Sequence, residues 1–480
     1  MELNPHYIRD HLNEIDQKDA LKILREWIIN SNESNVRKEA LNLFGKIDTL
    51  LNYELLEHLF LSDEDIEIRK ISGNLLKNNY GTHEKITSLS EYLLEKEAKV
   101  DQQLLAIEIL YEINSPRTRR FIKRFLHKEI KKLYREKKKE FPERIFKIGY
   151  QEIQSRQLLE IAINLILYKY YTTNLGFNAT LRNGFIILLN CEGFYMGKDT
   201  IIPEFNRLKR LEYLILKRTN LRKIPDFGII SNLKKLDLSY NNIEEIEYLN
   251  NISNLIELNL SHNNIREIKG LNSLNKLEKL FLDHNQFESL TNLGSLVNLE
   301  ELNINNNNIS HIEGISRLEK LKKLNLSYNS IEKISNLEML ENLHWLHLKG
   351  NNIKEITNLD SLIHLKGLYL SENQIKEIKN LNNLLELRKL EISSNLINKI
   401  SGLENQKELQ ELFLDNNNIQ NIEGLDNLEN LIILFLKSNK ITHFDSSLIE
   451  KLKNLNFIFL NDNPLTSESK KCYNRRTRYP

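Results

Sequence analysis

Cysteine is almost absent from this chain of 480 residues, which contains only Cys191 and Cys472. Two lone cysteines provide neither a disulfide framework nor a metal site, so we expect a soluble protein of a reducing compartment, the cytoplasm. Long apolar runs are missing too, because the longest one, LLEIAINLILY, contains Glu160 and is too short to span a bilayer. The N-terminal stretch MELNPHYIRDHLNEIDQKDA contains acids and no apolar core, and we therefore expect no secretion signal.

Motifs that carry catalysis are also missing. The sequence contains no GxxxxGK(S/T) or GxGxxG phosphate loop, no HExxH, no paired CxxC and no GxSxG. We therefore predict that the protein is not an enzyme and that it has no catalytic residue and no bound cofactor.

A repeat dominates the second half of the chain. The frame L-x-x-L-x-L-x-x-N-x-I-x-x-I starts at Leu211, returns at Leu233 and Leu255, and keeps this spacing as far as Leu431. A twelfth copy starts at Leu455, after a slightly longer step. The segment x-L-x-L-x alternates between apolar and other residues, which predicts a short strand with its leucines inward. One repeat cannot bury its own apolar face, so the copies must stack around a shared core.

The ninth position of the frame is Thr219 in the first copy and asparagine in the other eleven: Asn241, Asn263, Asn285, Asn307, Asn329, Asn351, Asn373, Asn395, Asn417, Asn439 and Asn463. A buried turn leaves backbone donors and acceptors unpaired, which costs free energy. An inward amide offers both donors and an acceptor. We therefore predict a structural ladder of asparagines.

With this motif, residues 211–465 resemble the leucine-rich repeat family. The resemblance implies an α+β repeat fold, with a horseshoe-shaped solenoid and a parallel sheet on its concave face. A 22-residue repeat leaves little room for a convex helix, so we expect 3₁₀ turns or extended segments there. The repeats are similar to the short class typified by the regulatory subunit of protein phosphatase 1. Internalin-like bacterial proteins share the period but carry a secretion signal.

Residues 1–114 follow a helical period instead. VRKEALNLFGKI from Val36, IRKISGNLLKNN from Ile68 and VDQQLLAIEILY from Val100 are equally spaced along the chain and can be aligned with one another. Arg37 and Arg69 match in this alignment, whereas the third copy has Asp101. The pattern resembles a short HEAT-like array of paired helices, and an irregular helical bundle is the alternative.

Residues 115–175 are predicted to form a basic helix and further helices. Residues 117–147 hold 14 Lys or Arg against 4 Glu, whereas residues 1–116 hold 13 Lys or Arg against 22 Asp or Glu. The basic helix, residues 115–141, could bind nucleic acid or an anionic membrane, or it could pack on the acidic helices beside it. No nucleic-acid motif accompanies it, and we favour a packed or solvated helix.

Both ends of the solenoid need a cover, because an open end would expose the core to water. We predict that residues 176–210 form one or two strands of an N-terminal cap. Residues 466–480 are predicted to form a basic C-terminal cap or tail. Tyr473, Arg475 and Arg476 partly match the usual cap of the family.

The outward residues of the predicted strands are the candidate site. Aromatic residues collect there in the C-terminal half, where leucines already form the core. Exposed apolar patches usually mark binding surfaces, and aromatic residues are favoured anchors. The predicted partner-binding residues are Trp345, His347, Tyr369, Glu391, Phe413, Phe435, Phe457 and Phe459. Two alternatives are that the aromatics only stabilise the sheet, or that the tail covers them.

A second row of outward residues, at the eighth position of the frame, consists of Tyr240, His262, His284 and Tyr328. Parallel strands lie about 4.8 Å apart, so the two imidazoles could meet, with Asp283 beside the second. A metal site would need a third ligand and a second shell of hydrogen bonds. We predict exposed surface histidines and no metal, with a metal site as the alternative.

Taken together, these patterns predict a non-enzymatic scaffold or adaptor, monomeric by itself, that binds a protein partner on the concave face. The resemblance implies a regulatory subunit of a phosphatase-like enzyme as one form of this function. The alternative is a nucleic-acid or anionic-membrane adaptor that acts through the basic helix and the basic tail.

Overall fold

The computed structural model describes residues 4–47, 52–81, 84–96, 98–136, 155–196, 204–228, 230–444 and 451–477. The chain divides into two compact units, Met1–Leu188 and Leu189–Pro480. The first is mainly helical and the second is built from parallel strands. Among the described residues, no helix combines the length and the apolar character needed to cross a membrane.

The helices of the first unit pack in consecutive pairs. Their bounds are α1 Pro5–Asp10, α2 Gln17–Asn30, α3 Ser34–Ile47, α4 Tyr53–Ser62, α5 Ile66–Tyr80, α6 Glu84–Glu95, α7 Val100–Ile113, α8 Pro116–Glu136 and α9 Ser155–Lys169. Helix α2 packs on α3, α4 on α5 and α6 on α7, while α3, α5 and α7 lie side by side. The three sequence copies fall on α3, α5 and α7, so the prediction of paired helices describes this unit, and the HEAT-like assignment stays a prediction.

Local capping explains where several of these helices begin and end. The Asp16 carboxylate accepts the Lys18 N–H at 2.8 Å, and the Asp65 carboxylate accepts the Glu67 N–H at 2.7 Å. Both bonds satisfy backbone donors that have no partner inside the helix. At the end of α7, Asn114 takes a left-handed conformation with φ of 47°, a role that asparagine tolerates well.

Helix α8 has one buried face and one basic face. Phe121, Ile122, Leu126 and Ile130 are buried. On the basic face, Arg117 lies 2.7 Å from Glu91, and Arg124 lies 3.3 Å from Glu95, both on α6. Part of the positive charge of α8 is therefore paired with acidic residues of α6, as the alternative of a packed basic helix predicts. Residues 137–154, which include the end of the predicted basic helix, lie outside the described residues.

Residues 176–210 contain two strands, as the sequence allowed. They are β1 Asn178–Arg182 and β2 Phe185–Asn190, and a 3₁₀ turn follows at Phe205–Arg207. The N–H of Ile186 donates to the side-chain oxygen of Asn164 at 2.9 Å. In the second unit, the backbone N–H of Cys191 donates to the Ile215 carbonyl at 2.9 Å.

Twelve three-residue strands form the parallel sheet of the second unit and lie side by side in sequence order. They are β3 Tyr213–Ile215, β4 Lys235–Asp237, β5 Glu257–Asn259, β6 Lys279–Phe281, β7 Glu301–Asn303, β8 Lys323–Asn325, β9 Trp345–His347, β10 Gly367–Tyr369, β11 Lys389–Glu391, β12 Glu411–Phe413, β13 Ile433–Phe435 and β14 Phe457–Phe459. The central residues align, as Leu324 does with Leu346, and both are fully buried. This solenoid confirms the predicted fold class. Between residues 230 and 444, turns and extended segments connect the strands without a helix.

The asparagines hold successive turns together. The Asn351 amide donates to the carbonyls of Leu348 in its own repeat, at 3.0 Å, and of Leu326 in the preceding repeat, at 3.1 Å. Its side-chain oxygen accepts the N–H of Ile331 at 3.0 Å. The same pattern runs from Asn241 to Asn463. Each amide therefore satisfies backbone groups of two turns.

The C-terminal residues form helix α10, Ser467–Thr477. The Ser469 hydroxyl accepts the N–H of Phe444 at 2.9 Å, and the Tyr473 hydroxyl accepts the N–H of Leu460 at 3.3 Å. The Tyr473 ring meets Phe444 edge to face, with centroids 6.1 Å apart. The helix therefore contacts the last two repeats, which fits the predicted role of a cap.

Candidate functional site

The outward side chains of strands β3–β14, called here the sheet surface, stand at the third and fifth positions of each repeat. In the N-terminal half the third position alternates in charge through Lys235, Glu257, Lys279, Glu301 and Lys323. Lys235 lies 2.7 Å from Glu257, and Lys323 lies 2.8 Å from Glu301. In these two pairs, neighbouring repeats therefore neutralise each other's third-position charge.

This alternation ends at Trp345, where an aromatic surface begins. We define the aromatic surface as Trp345, His347, Tyr369, Phe413, Phe435, Phe457 and Phe459. The rings of His347 and Tyr369 stack with centroids 4.0 Å apart. Phe435 stacks between Phe413 at 4.7 Å and Phe459 at 4.3 Å. In-register parallel strands place equivalent side chains one strand spacing apart, which is close to the stacking distance of aromatic rings.

At the fifth position, aromatic rings of neighbouring strands therefore do stack on one another, as one of the alternatives raised by the sequence predicts. It does not bury the third-position rings, since Trp345 is 37% exposed and Phe457 is 54% exposed. Helix α10 contacts the backbone of the last strand through Tyr473 and leaves the Phe457 side chain accessible. The aromatic surface thus combines a stacked row with two exposed anchors.

Trp345 lies over a glycine of the next strand. A Cβ atom added at Gly367 would clash with the six-membered ring of Trp345 and would also meet the Tyr369 ring at 3.0 Å. The missing side chain leaves a recess in which the indole rests. Sequence reasoning missed this role of Gly367, although glycine at an outward strand position was a usable signal.

Lys389 and Glu391 interrupt the stacked row between Tyr369 and Phe413. The Lys389 ammonium lies 3.0 Å from Glu391 and 3.1 Å from Glu411. It also lies 4.8 Å from the centre of the Phe413 ring and 5.7 Å from that of Tyr369, within the range of cation–π attraction. Burial lowers the pKa of Lys389, but the bonds to Glu391 and Glu411 outweigh it and raise the pKa. Lys389 therefore bridges the two ring groups as a cation.

His347 is the imidazole of the aromatic surface. Burial, with the nearby charges of Lys323 and Lys389, lowers its pKa to about 4. The imidazole is therefore neutral near pH 7 and stacks on Tyr369 as an uncharged ring. At the other side of the aromatic surface, burial raises the pKa of Asp415, whose carboxylate accepts the Lys437 N–H at 2.7 Å.

The second row stands where the chain turns after each strand. Its four residues, Tyr240, His262, His284 and Tyr328, have φ between 53° and 57°. All twelve repeats take a positive φ at this position: Arg218, Tyr240, His262, His284, Asn306, Tyr328, Gly350, Glu372, Ser394, Asn416, Ser438 and Asp462. Bulky side chains are uncommon in this backbone region. The rings found there therefore occupy a position where asparagine or glycine would be less strained.

The structure divides the second row into two groups. Tyr240, His262 and His284 form a stack with 4.0 Å between neighbouring centroids. Burial and His284 lower the pKa of His262. Tyr328 lies apart from them, over Gly350, where an added Cβ would clash with its ring. Among the described residues, the side chains with metal-ligand spacing are those of His262, Asp283 and His284.

Comparison with known proteins agrees with the repeat architecture. The family model for Leucine rich repeat matches residues 231–287 and 297–353. No curated protein sequence matches the chain. The structure of an internalin, InlF, from Listeria monocytogenes is 31% identical with a TM-score of 0.54, and the match covers 58% of this chain and 82% of that chain.

Two further solved structures are similar over a comparable share of the chain. LRR protein LIC12759 of Leptospira interrogans is 27% identical with a TM-score of 0.52, covering 59% of this chain and 80% of that chain. TLR13, solved in complex with ssRNA13, is 26% identical with a TM-score of 0.51, covering 57% of this chain and 43% of that chain. The resemblance to the phosphatase regulator stays a prediction. The motif, the parallel solenoid and these similarities establish that the chain belongs to the leucine-rich repeat proteins.

Proposed function

We propose that the protein is a non-enzymatic scaffold whose aromatic surface binds a protein partner. The observation that carries this proposal is the exposure of Trp345 and Phe457, 37% and 54%, on a sheet whose central residues are fully packed. Aromatic side chains supply much of the affinity at protein interfaces. A preformed sheet lowers the ordering cost of binding. The family typically serves in binding rather than in catalysis, which agrees with this function.

The charges around the aromatic surface favour a partner with a basic side chain. Glu391 and Glu411 share a single lysine, Lys389, so this group carries a net negative charge. Lys349 is paired with Glu372 at 3.1 Å. We therefore expect a partner segment that brings apolar side chains to the rings and a cation to the carboxylates, which would set its register.

Regulation of a phosphatase-like enzyme is the more specific form of this proposal. It rests on the type and position of Trp345, Tyr369, Glu391, Phe413 and Phe435, which match the aromatic and acidic residues that the resemblance implies.

A pull-down from native lysate with the full chain tests the proposal. The test variant is Trp345→Ala/Tyr369→Ala/Phe413→Ala. The matched control is Lys235→Ala/Glu257→Ala/Lys279→Ala, which changes outward positions of β4–β6. The proposal is supported if the wild type and the control retain a protein through a wash in moderate salt and the aromatic variant does not retain it. Phosphatase activity in the eluate that contains this protein supports the more specific form of the proposal. Equal retention by all three chains overturns both.

A second candidate function is binding of a polyanion, nucleic acid or a charged membrane, by α8. It is favoured by the exposure of Arg119, Arg120, Lys128, Lys131 and Lys132 on the basic face. Phosphate contacts weaken steeply with salt, whereas aromatic anchoring tolerates salt better. Retained material that salt removes equally from the wild type and the aromatic variant would favour this second function.

A further inference from the structure

We propose that His262, Asp283 and His284 bind a divalent transition-metal ion of the Zn²⁺ class. One ligand atom from each side chain lies within 4.8 Å of the other two. Two imidazole nitrogens and one carboxylate oxygen form a ligand set that suits zinc and leaves its fourth position for water or another ligand. This site is separate from the aromatic surface and does not depend on the proposed partner.

The repeat itself brings the three ligands together. His262 and His284 take the same position in adjacent repeats, and Asp283 precedes the second histidine. The backbone N–H of His262 donates to the backbone carbonyl of Asp283 at 2.8 Å, and the backbone N–H of His284 donates to the backbone carbonyl of Asn305 at 3.0 Å. The backbone of all three ligands is therefore held by bonds between neighbouring turns.

Asp283 also has the supporting bonds that a metal ligand needs. One of its carboxylate oxygens accepts the Ser261 hydroxyl at 2.6 Å and the Asn303 amide at 3.0 Å. The other oxygen lies 3.9 Å from Nε2 of His262. Second-shell bonds of this kind orient a ligating carboxylate and strengthen metal binding. The structure therefore supplies both the third ligand and the second shell that the sequence pattern required.

One side chain must turn for the ion to bind. The His262 and His284 rings are stacked 4.0 Å apart and 12° from parallel, so their in-plane lone pairs do not converge on one point. His284 is the exposed member of the group, and we expect its side chain to rotate so that a ring nitrogen reaches an ion bound beside Asp283. Metal binding therefore exchanges the ring stack for coordination bonds.

Titration of the untagged full chain with Zn²⁺ by calorimetry, and with Co²⁺ by visible absorption, tests the site. We expect one Zn²⁺ per chain, and a visible Co²⁺ band that Zn²⁺ displaces. His284→Ala and Asp283→Asn should each weaken Zn²⁺ binding at least tenfold, and Ser261→Ala should weaken it by about 10-fold to 100-fold. His311→Ala, at an exposed histidine elsewhere on the solenoid, should leave the affinity unchanged.

Two results overturn the proposal. One is the absence of stoichiometric Zn²⁺ uptake by the wild-type chain. The other is an unchanged Zn²⁺ affinity in His262→Ala/His284→Ala, with circular dichroism showing that this variant is folded. Because His284 is exposed, the single variant His284→Ala keeps the test valid if the double variant does not fold.

Discussion

Arg69 and Asp101 form a buried, two-point ion pair that joins α5 to α7. Nε of Arg69 lies 2.7 Å from one carboxylate oxygen, and a terminal nitrogen lies 3.2 Å from the other. The other terminal nitrogen donates to the carbonyls of Asp63 at 2.7 Å and Glu64 at 3.0 Å. Asp101 stands where the two preceding sequence copies have arginine. Asp101, in the third copy, thus departs from the pattern and is the ion-pair partner of Arg69 in the second copy.

We predict that Asp101→Asn lowers the free energy of unfolding of the helical unit by about 3–5 kcal/mol, because the Arg69 charge stays buried without its counter-ion. Arg69→Met/Asp101→Leu should lose much less, since neither charge remains. Urea unfolding followed by ellipticity at 222 nm, a wavelength dominated by helices, measures the difference. Glu95→Gln removes an exposed partner of Arg124 and should change stability by less than about 1 kcal/mol. Equal losses in Asp101→Asn and Glu95→Gln would contradict the prediction.

The fold was predictable because one pattern repeats. The constant spacing of the frame and the alternation around each pair of leucines indicate stacked parallel strands, and the structure has them. The inward position of Asn351 follows from the cost of unpaired backbone groups in a buried turn. The helical array was less predictable because its pattern is loose, and pairs such as Arg69 with Asp101 depend on how two helices meet.

The candidate site was predictable in position but not in detail. Alternation places Trp345 and Phe413 outward, whichever rotamer they adopt. It does not reveal that Trp345 lies over Gly367, or that Lys389 bridges two ring groups. These features depend on side-chain directions across neighbouring strands, and a frame describing one repeat at a time contains no information on them.

A central asparagine of the ladder should contribute far more to the stability of the solenoid than its exposed neighbour does. We predict that Asn351→Ala lowers the free energy of unfolding of the solenoid by about 2–4 kcal/mol, because it leaves backbone groups of two turns without partners. Asn352→Ala, at an exposed position, should cost less than about 0.5 kcal/mol. Urea unfolding followed by Trp345 fluorescence, in a Trp27→Phe background, reports on the solenoid. Similar losses in both variants would show that the ladder bonds contribute little.

Gly367→Ala should move the Trp345 ring without unfolding the solenoid, because the added methyl group clashes with the indole. In the Trp27→Phe background we expect a shifted Trp345 emission maximum and at least tenfold weaker binding of a partner captured by the aromatic surface. Gly294→Ala is the matched control, since its new methyl group would meet no atom closer than 3.6 Å. An unchanged emission spectrum in Gly367→Ala would refute the packing of Trp345 on Gly367.

The solenoid should lose stability on acidification partly through His347. Its pKa is lowered from an ordinary value of 6.5 to about 4, chiefly by burial and further by Lys323 and Lys389. Between these two values the unfolded chain binds a proton that the folded chain does not bind. The free energy of unfolding therefore falls as the pH falls from about 6.5 toward 4, and this contribution is fully present only above the unfolded value.

His347→Phe removes the imidazole that binds this proton and keeps an aromatic ring for stacking on Tyr369. We expect the wild type to lose roughly 1–2 kcal/mol more than His347→Phe across this pH window, a value discounted for solvent screening at a partly buried site. Urea unfolding at several pH values, followed by Trp345 fluorescence in the Trp27→Phe background, measures both slopes. If His347→Phe and the wild type share one slope, His347 takes up its proton equally in both states, and the acid sensitivity of the solenoid arises at other groups.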